Sequence, residues 1–323
     1  MIESLRIQNF KSIKHLELKC RRINIFIGKP NVGKSNILES LGIFSFGAYG
    51  GNLRNFVRFE NTSNLFYDND VNKEIKISAD DMEFSMKFSD GKFTGEYREK
   101  DEKLVWIDYD YEGHGIESRP SFGSKLKLFK FYRFEKLNSF GGKNPEFLLP
   151  PRGENLLTIL LTKKELKSLI SDTFRPYGLR IVLKPQENKI EIVKLLEDIL
   201  ISYPYSVISD TLQRVVFYLS AIESNKNSVI AFEDPESHAF PYYTKFLAER
   251  MARDKSNQYF ISTHNPYLLL SLLEKTAMNE IGVFVTYFEN YQTKAKSLRK
   301  REIEEVMELD ADVFFNLDRL MEE

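Results

Sequence analysis

The octet Gly28-Lys29-Pro30-Asn31-Val32-Gly33-Lys34-Ser35 matches G-x-x-x-x-G-K-[ST] at every position. That spacing suits a chain of phosphates. Gly28 and Gly33 let the backbone take φ > 0 and approach phosphate oxygens without a Cβ clash. The N–H groups of the turn, and of a helix opening at Lys34, make a nest for an anion. Lys34 is a flexible point charge for β- and γ-phosphates, and the Ser35 hydroxyl is a hard oxygen ligand for Mg2+. The competing reading is a glycine turn before a helix with a chance Lys-Ser. The unbroken octet, placed between an apolar strand and a helix, weighs against it.

Hydrolysis of a bound triphosphate needs a carboxylate for the metal and a group that orients water. The apolar run Ser228 to Phe232 ends in Glu233-Asp234-Pro235-Glu236-Ser237-His238. Carboxylates at the carboxyl end of a buried parallel strand stand where α/β folds bind ligands. Glu233 is expected to hold Mg2+ through water and Asp234 to polarise the attacking water. An acidic turn before the next helix is the structural alternative. The next apolar run, Gln258 to Ser262, leads into Thr263-His264-Asn265-Pro266. There His264 is expected to donate to a γ-phosphate oxygen, against the simpler role of a loop histidine before a helix.

These residues need a scaffold. Ser4 to Asn9, His15 to Lys19 and the continuous run Ile23 to Ile27 read as strands, with a helix from Lys34 through Leu41. Residues 56–134 carry short alternating runs, the last of them Lys125 to Phe134, and read as an antiparallel meander. Lys125 to Lys136, with Phe129, Phe131, Tyr132 and Phe134 interleaved, reads as an amphipathic strand with one charged face rather than a base-stacking surface. Asn138 to Asn144 reads as a mobile loop. Helices are expected at Glu154–Leu161, Lys163–Thr173, Val193–Leu200 and Asp210–Ser220, with a hairpin over Leu179–Val193. Strands and helices alternate again from Ser228 to Tyr287. The whole predicts an α/β fold with a mixed sheet core, an antiparallel meander and a helical second lobe.

The chain has 323 residues, 46 Lys+Arg against 47 Asp+Glu, and a net charge of −1. Any nucleic-acid contact must therefore come from a local patch, and the basic run Lys294 to Arg301 reads as a solvated entry to a helix. One cysteine, Cys20, excludes an internal disulfide and a multi-cysteine zinc site and suits a reducing cytoplasmic setting. No apolar stretch is long enough to span a membrane, and the first residues lack an apolar signal core.

The series IQNFKSI, GKPNVGKSN, VIAFEDPESH and FISTHNP resembles ABC-type ATPases of the group that includes SMC proteins, RecF and OLD-family ATPases, which share an AAA-type core domain. The resemblance covers residues 1–64 and 150–290. It implies a P-loop NTPase of the ABC-type head, with a nucleotide-binding lobe from residues 1–64 and 224–323 and an inserted β and helical lobe over 65–223. It implies ATP and Mg2+ as ligands. It adds Lys11 and Ser12, with Asn36 beside the loop, as nucleotide contacts, and implies a homodimer joined through ATP. It implies a role on DNA or in anti-phage defence, with a separate effector such as a nuclease.

Two departures stand out. The family places Asp before Glu at the acidic strand, whereas here Glu233 precedes Asp234. The family's signature turn, which contacts ATP from the opposite subunit, finds its best match in Ile208-Ser209-Asp210-Thr211-Leu212, without a glycine; helix capping explains Ser209 and Asp210 equally well. A sustained heptad pattern is missing, and the stretch after His264 is short for a Toprim nuclease. Asp310-Ala311-Asp312 resembles a metal pair but falls in an expected terminal helix with no strand before it. A non-hydrolysing ATP-dependent scaffold and a small-molecule phosphotransferase remain as alternatives.

Overall fold

In the computed structural model, which describes residues 1–100, 102–117 and 125–321, the antiparallel pair β1 (Ser4–Phe10) and β2 (Ile13–Lys19) leads into β3 (Ile23–Ile27). All five residues of β3 are buried, as a continuous apolar run demands. The octet then turns the chain into α1 (Lys34–Tyr49). This helix is buried on nearly every side, because it lies between two sheets rather than on a surface.

The meander follows as β4 (Ile75–Ala79), β5 (Met82–Ser89), β6 (Lys92–Glu99), β7 (Glu102–Tyr109) and β8 (Gly115–Glu117). It joins the first two strands in a seven-stranded sheet of order β2-β1-β4-β5-β6-β7-β8. β9 (Phe129–Tyr132) departs from the meander expected for it. It pairs parallel to a later strand at the edge of the second sheet, and all four of its residues are buried. No charged face survives there. Lys130 is inside, where its ammonium donates to Ser228 Oγ at 2.9 Å and lies 3.7 Å from the Phe147 ring centroid. An alternating pattern conceals a buried lysine when a hydroxyl and an aromatic face replace water.

The segment Asn138 to Asn144 is pinned rather than loose. Phe140 is buried and donates its N–H to Asn188 O, and Gly142 donates to Glu154 O. Next come α2 (Leu156–Thr162), α3 (Lys164–Phe174), β10 (Leu179–Lys184), β11 (Lys189–Leu196) and β12 (Ile199–Pro204). The helix expected over Val193–Leu200 is instead the tip of a hairpin, in which Leu196 pairs with Ile199. Ile190 and Ile192 are buried two residues apart, and pairing with strands on both sides fixes β11 as extended against the helical preference of its last residues.

α4 (Asp210–Ser224), β13 (Val229–Glu233), α5 (Pro241–Arg253), β14 (Gln258–Ser262), α6 (Pro266–Lys275), β15 (Ile281–Glu289), β16 (Gln292–Ser297) and α7 (Lys300–Leu309) complete the order. The six-stranded sheet runs β16-β15-β3-β14-β13-β9, parallel except at β16. Alternate residues serve two cores. Ile23, Ile25 and Ile27 join the cluster with α4, α5 and α6, while Phe26 joins α1 and the seven-stranded sheet. Phe26 stacks on Phe284 at 5.1 Å and on Phe260 at 6.4 Å, locking neighbouring strands at that level. Asp310 and Asp312 begin a short 3-10 segment, and among the described residues no group of three His, Cys, Asp or Glu forms a metal cluster.

Burial pushes the Lys130 ammonium down to about 8. The unfolded chain therefore holds the extra proton above that pH, so stability rises as pH climbs from about 8 toward 10. Urea unfolding at about pH 8 and about pH 9.5 is expected to show the rise, and Lys130→Met to shrink it. An equal pH slope in both proteins contradicts a buried charge.

Candidate nucleotide site

β3 and β13 both pair with β14, so their carboxyl ends lie two strand spacings apart, about 10 Å. This brings Lys34 and Glu233, separated by more than half the chain, to one end of the sheet. β14 between them delivers Ser262, Thr263 and His264 to the same end.

The loop has the strain that its glycines permit. Gly28 has φ 150° and Gly33 φ 97°, and Asn31 is left-handed at φ 61°. A Cβ on Gly33 would stand 2.0 Å from Thr293 Oγ1, and one on Gly28 would stand 2.2 Å from Thr286 O. The loop is thus braced from β15 and β16. Asn36 Nδ2 donates to Ser12 Oγ, which meets Thr293 Oγ1, each at 2.6 Å, and Thr293 Oγ1 donates to Val32 O at 2.9 Å. Ser12 and Asn36 therefore stand beside the loop. Lys29 reaches outward to Asp318 at 2.8 Å, next to exposed Pro30 and Asn31.

Lys34 folds back over its own loop and donates to the Gly28 and Lys29 carbonyls, both at 2.8 Å. Burial lowers its pKa to about 8, with Asp234 opposing. Ser35 follows Lys34 at the start of α1, on the side of the loop that faces Glu233. Burial works to raise Glu233, but Arg58, Ser35 and Arg133 hold it below the ordinary value. Arg58 Nη2 lies 2.6 Å from Glu233 Oε1, and Arg133 Nη2 lies 3.2 Å from Oε2.

Asp234 behaves oppositely. Burial raises it and Glu233 adds to the rise, against His264, Ser262 and Lys34. It sits at φ 40°, with its N–H donated to Ser262. Burial lowers His264, aided by Lys34 and opposed by Asp234, which favours a neutral ring. Adjacent carboxylates pushed apart in this way suit different tasks: an ionised one for a cation, a raised one for a proton.

Several contributors have no role assigned to them by the sequence. Glu39, on α1, is fully buried and meets Lys11 Nζ at 2.5 Å, Arg58 Nε at 2.8 Å and Arg133 Nη2 at 2.9 Å. Lys11 is thus committed to Glu39 and to the Arg58 carbonyl. Glu236 is also buried; its Oε1 accepts from Thr263 Oγ1 at 2.5 Å and from the His264 N–H at 3.3 Å. Burial raises its pKa to about 7. At the signature-like segment, Ser209 caps α4 through the Leu212 N–H, and Lys136 neutralises Asp210 at 2.6 Å.

The donor set fits a magnesium nucleotide. A hydroxyl and one ionised carboxylate are hard oxygens, the nest offers N–H groups, and Mg2+ ordinarily keeps waters and phosphates for its remaining positions. Ser35 and Glu233 are the side chains that would hold it.

Solved structures share this architecture. The SMC head bound to the C-winged helix domain of ScpA matches with a TM-score of 0.55 at 16% identity, over 93% of this chain and 99% of that one. The Smc head with an extended coiled coil, bound to the C-terminal domain of ScpA and derived from Pyrococcus furiosus, matches with a TM-score of 0.51 at 13% identity, over 95% and 98%. The fold is that of an SMC head, an α/β P-loop ATPase architecture with mixed sheets. The AAA ATPase domain model matches residues 1–177, and the chain belongs to that family. An uncharacterised protein of Methanocaldococcus jannaschii is 28% identical over 171 residues, 43% of this chain and 78% of that protein. The DNA replication and repair protein RecF of Clostridioides difficile is 36% identical over 80 residues, 24% of this chain and 21% of RecF. The chain thus carries an AAA ATPase domain, has the fold of an SMC head, and is locally similar in sequence to RecF. No helix among the described residues is long and apolar enough to cross a membrane.

Glu39→Ala removes the shared partner of three cations, so it is expected to cost about 3–5 kcal/mol of stability in urea unfolding. A loss below about 1 kcal/mol would show that water already compensates those charges.

Proposed function

We propose that this domain binds Mg-ATP at Gly28–Ser35 and hydrolyses it slowly, using Asp234, Glu233, His264 and Lys34. The observation that carries the reading is the convergence of the loop with both carboxylates and His264 at one sheet end. Lys34 would exchange its carbonyl contacts for β- and γ-phosphate oxygens. Bound Mg2+ would neutralise charge developing on the phosphates. Asp234 would orient water toward the γ-phosphorus and take its proton as the bond to the ADP oxygen breaks, while His264 donates to the γ-phosphoryl oxygens. The aspartate is one carbon shorter than the family's glutamate, which leaves its carboxylate farther from the water and favours slow turnover.

In this reading ATP joins two copies, the segment Ser209–Leu212 of one facing the nucleotide of the other, and hydrolysis parts them. The ion pair with Lys136 would offset part of the repulsion that Asp210 exerts on a γ-phosphate. RecF, by its name a DNA replication and repair protein, supports a DNA-linked setting, and the ScpA-bound heads support a separate protein partner. We place the domain in the cytoplasm, as a switch for an effector such as a nuclease, in DNA maintenance or anti-phage defence. A non-hydrolysing scaffold is the second reading, favoured by the Glu-Asp order and by two arginines already on Glu233.

Phosphate release is expected below about 1 per second for the wild-type chain. Lys34→Ala and Asp234→Asn should each lose about 100-fold or more, with ATP binding kept only in Asp234→Asn, which should accumulate an ATP-dependent dimer in light scattering. Equal release by all three proteins contradicts hydrolysis at this site; tight ATP binding with no wild-type turnover selects the scaffold.

A further inference from the structure

Asn290 and Tyr291 form the two-residue turn between β15 and β16. Glu289 pairs with Gln292 across it, and the two central residues have φ of 50° and 59°. This is the primed turn that suits a twisted hairpin, and its second place ordinarily goes to glycine, because a bulky side chain is strained at positive φ. A tyrosine persists in such a place only where its surroundings over-determine it, and residues of this kind gather at ligand sites.

The surroundings here are specific. Tyr67 Oη donates to the Tyr291 carbonyl at 2.9 Å and pins the turn. Two residues on, Thr293 gives its N–H to Ser12 O at 2.8 Å and its hydroxyl to Val32 O at 2.9 Å, so the strand leaving the turn braces the phosphate loop. Yet the tyrosine side chain has no packing role. Tyr291 is 83% exposed, and among the described residues no aromatic ring or cation stacks on it.

Strand order gives the direction. Glu233, Asp234 and His264 stand on the β14–β13 side of β3, and β15 and β16 lie on the other. The hydrolysable end of a triphosphate belongs beside those groups. On that reading the nucleoside end points to the other side of β3, where Ser12 and the β15–β16 hairpin brace the loop. We propose that Tyr291 is the platform on which the base of the bound nucleotide stacks. This rests on the ATP-site reading above and adds the group that holds the base. Every base has a π face, so the platform raises affinity without selecting adenine, and GTP should share it.

The test is calorimetric titration of the full chain with ATP and with inorganic tripolyphosphate, for wild type, Tyr291→Gly, Tyr291→Trp and Lys34→Ala. Tyr291→Gly is expected to bind ATP about tenfold more weakly while binding tripolyphosphate unchanged, and Tyr291→Trp to bind ATP as wild type does. Its thermal midpoint should equal or exceed that of wild type, because glycine relaxes the turn. ATP affinity in Tyr291→Gly within about twofold of wild type overturns the stacking role and leaves the phosphate site standing. An equal loss for both ligands also overturns it, since the ring would then merely brace the loop. Wild-type protein that binds tripolyphosphate no better than Lys34→Ala overturns the site reading itself, and the platform with it.

Discussion

A carboxylate taken wholly out of water must be paired, and Glu39 sets that condition for this fold. Its three cations come from three different places. Lys11 belongs to the β1–β2 turn, Arg58 to the segment after α1, and Arg133 to the residue after β9. One buried charge therefore fixes the antiparallel sheet, the central helix and the edge of the parallel sheet against one another. Two of those cations, Arg58 and Arg133, continue to Glu233. The carboxylate assigned to the metal is thus oriented by a network that begins inside the core. The network also keeps Glu233 ionised despite its burial.

A second pattern is where the backbone departs from easy conformations. Whereas others such as Asp80, Asp90, Lys100 and Glu197 sit at positive φ in hairpin turns elsewhere, Lys11, Asn31, Asp234 and Tyr291 do so without being glycine in or near the phosphate loop or the turns that brace it. Packing around these positions holds conformations that the local sequence would not choose. The relay from Asn36 through Ser12 and Thr293 to the Val32 carbonyl is part of that packing. It couples the loop to the β15–β16 hairpin, so the conformation of one constrains the other.

The sequence made the phosphate loop legible because backbone chemistry dictates its glycines, its lysine and its serine in order. It made β3, β13 and β14 legible because strands buried on both faces read as unbroken apolar runs. It hid Glu39, Arg58 and Arg133, since an ion network is a property of three-dimensional closure and each member is one charge among many. Lys130 was hidden for a related reason: alternation in its strand implies a wet face, and only Ser228 and Phe147 reveal a dry one. Val193–Leu200 misled because leucines spaced for a helix also fit a hairpin once Ile190 and Ile192 are anchored. Thr293 and Tyr291 fall where no strand is legible: β16 lies in the polar, basic stretch after the apolar run that ends at Tyr287.

The central claim is that the loop and the Glu233–Asp234 pair grip one nucleotide. Crystals grown with Mn2+ and a non-hydrolysable ATP analogue test it most directly, through the anomalous signal of the metal. The account predicts phosphates within Gly28–Ser35 and the metal about 2.1 Å from Ser35 Oγ, with Glu233 in its outer shell and turned partly from Arg58. A nucleotide bound elsewhere, or a metal remote from Ser35 while Arg58 still holds Glu233 unchanged, would contradict it.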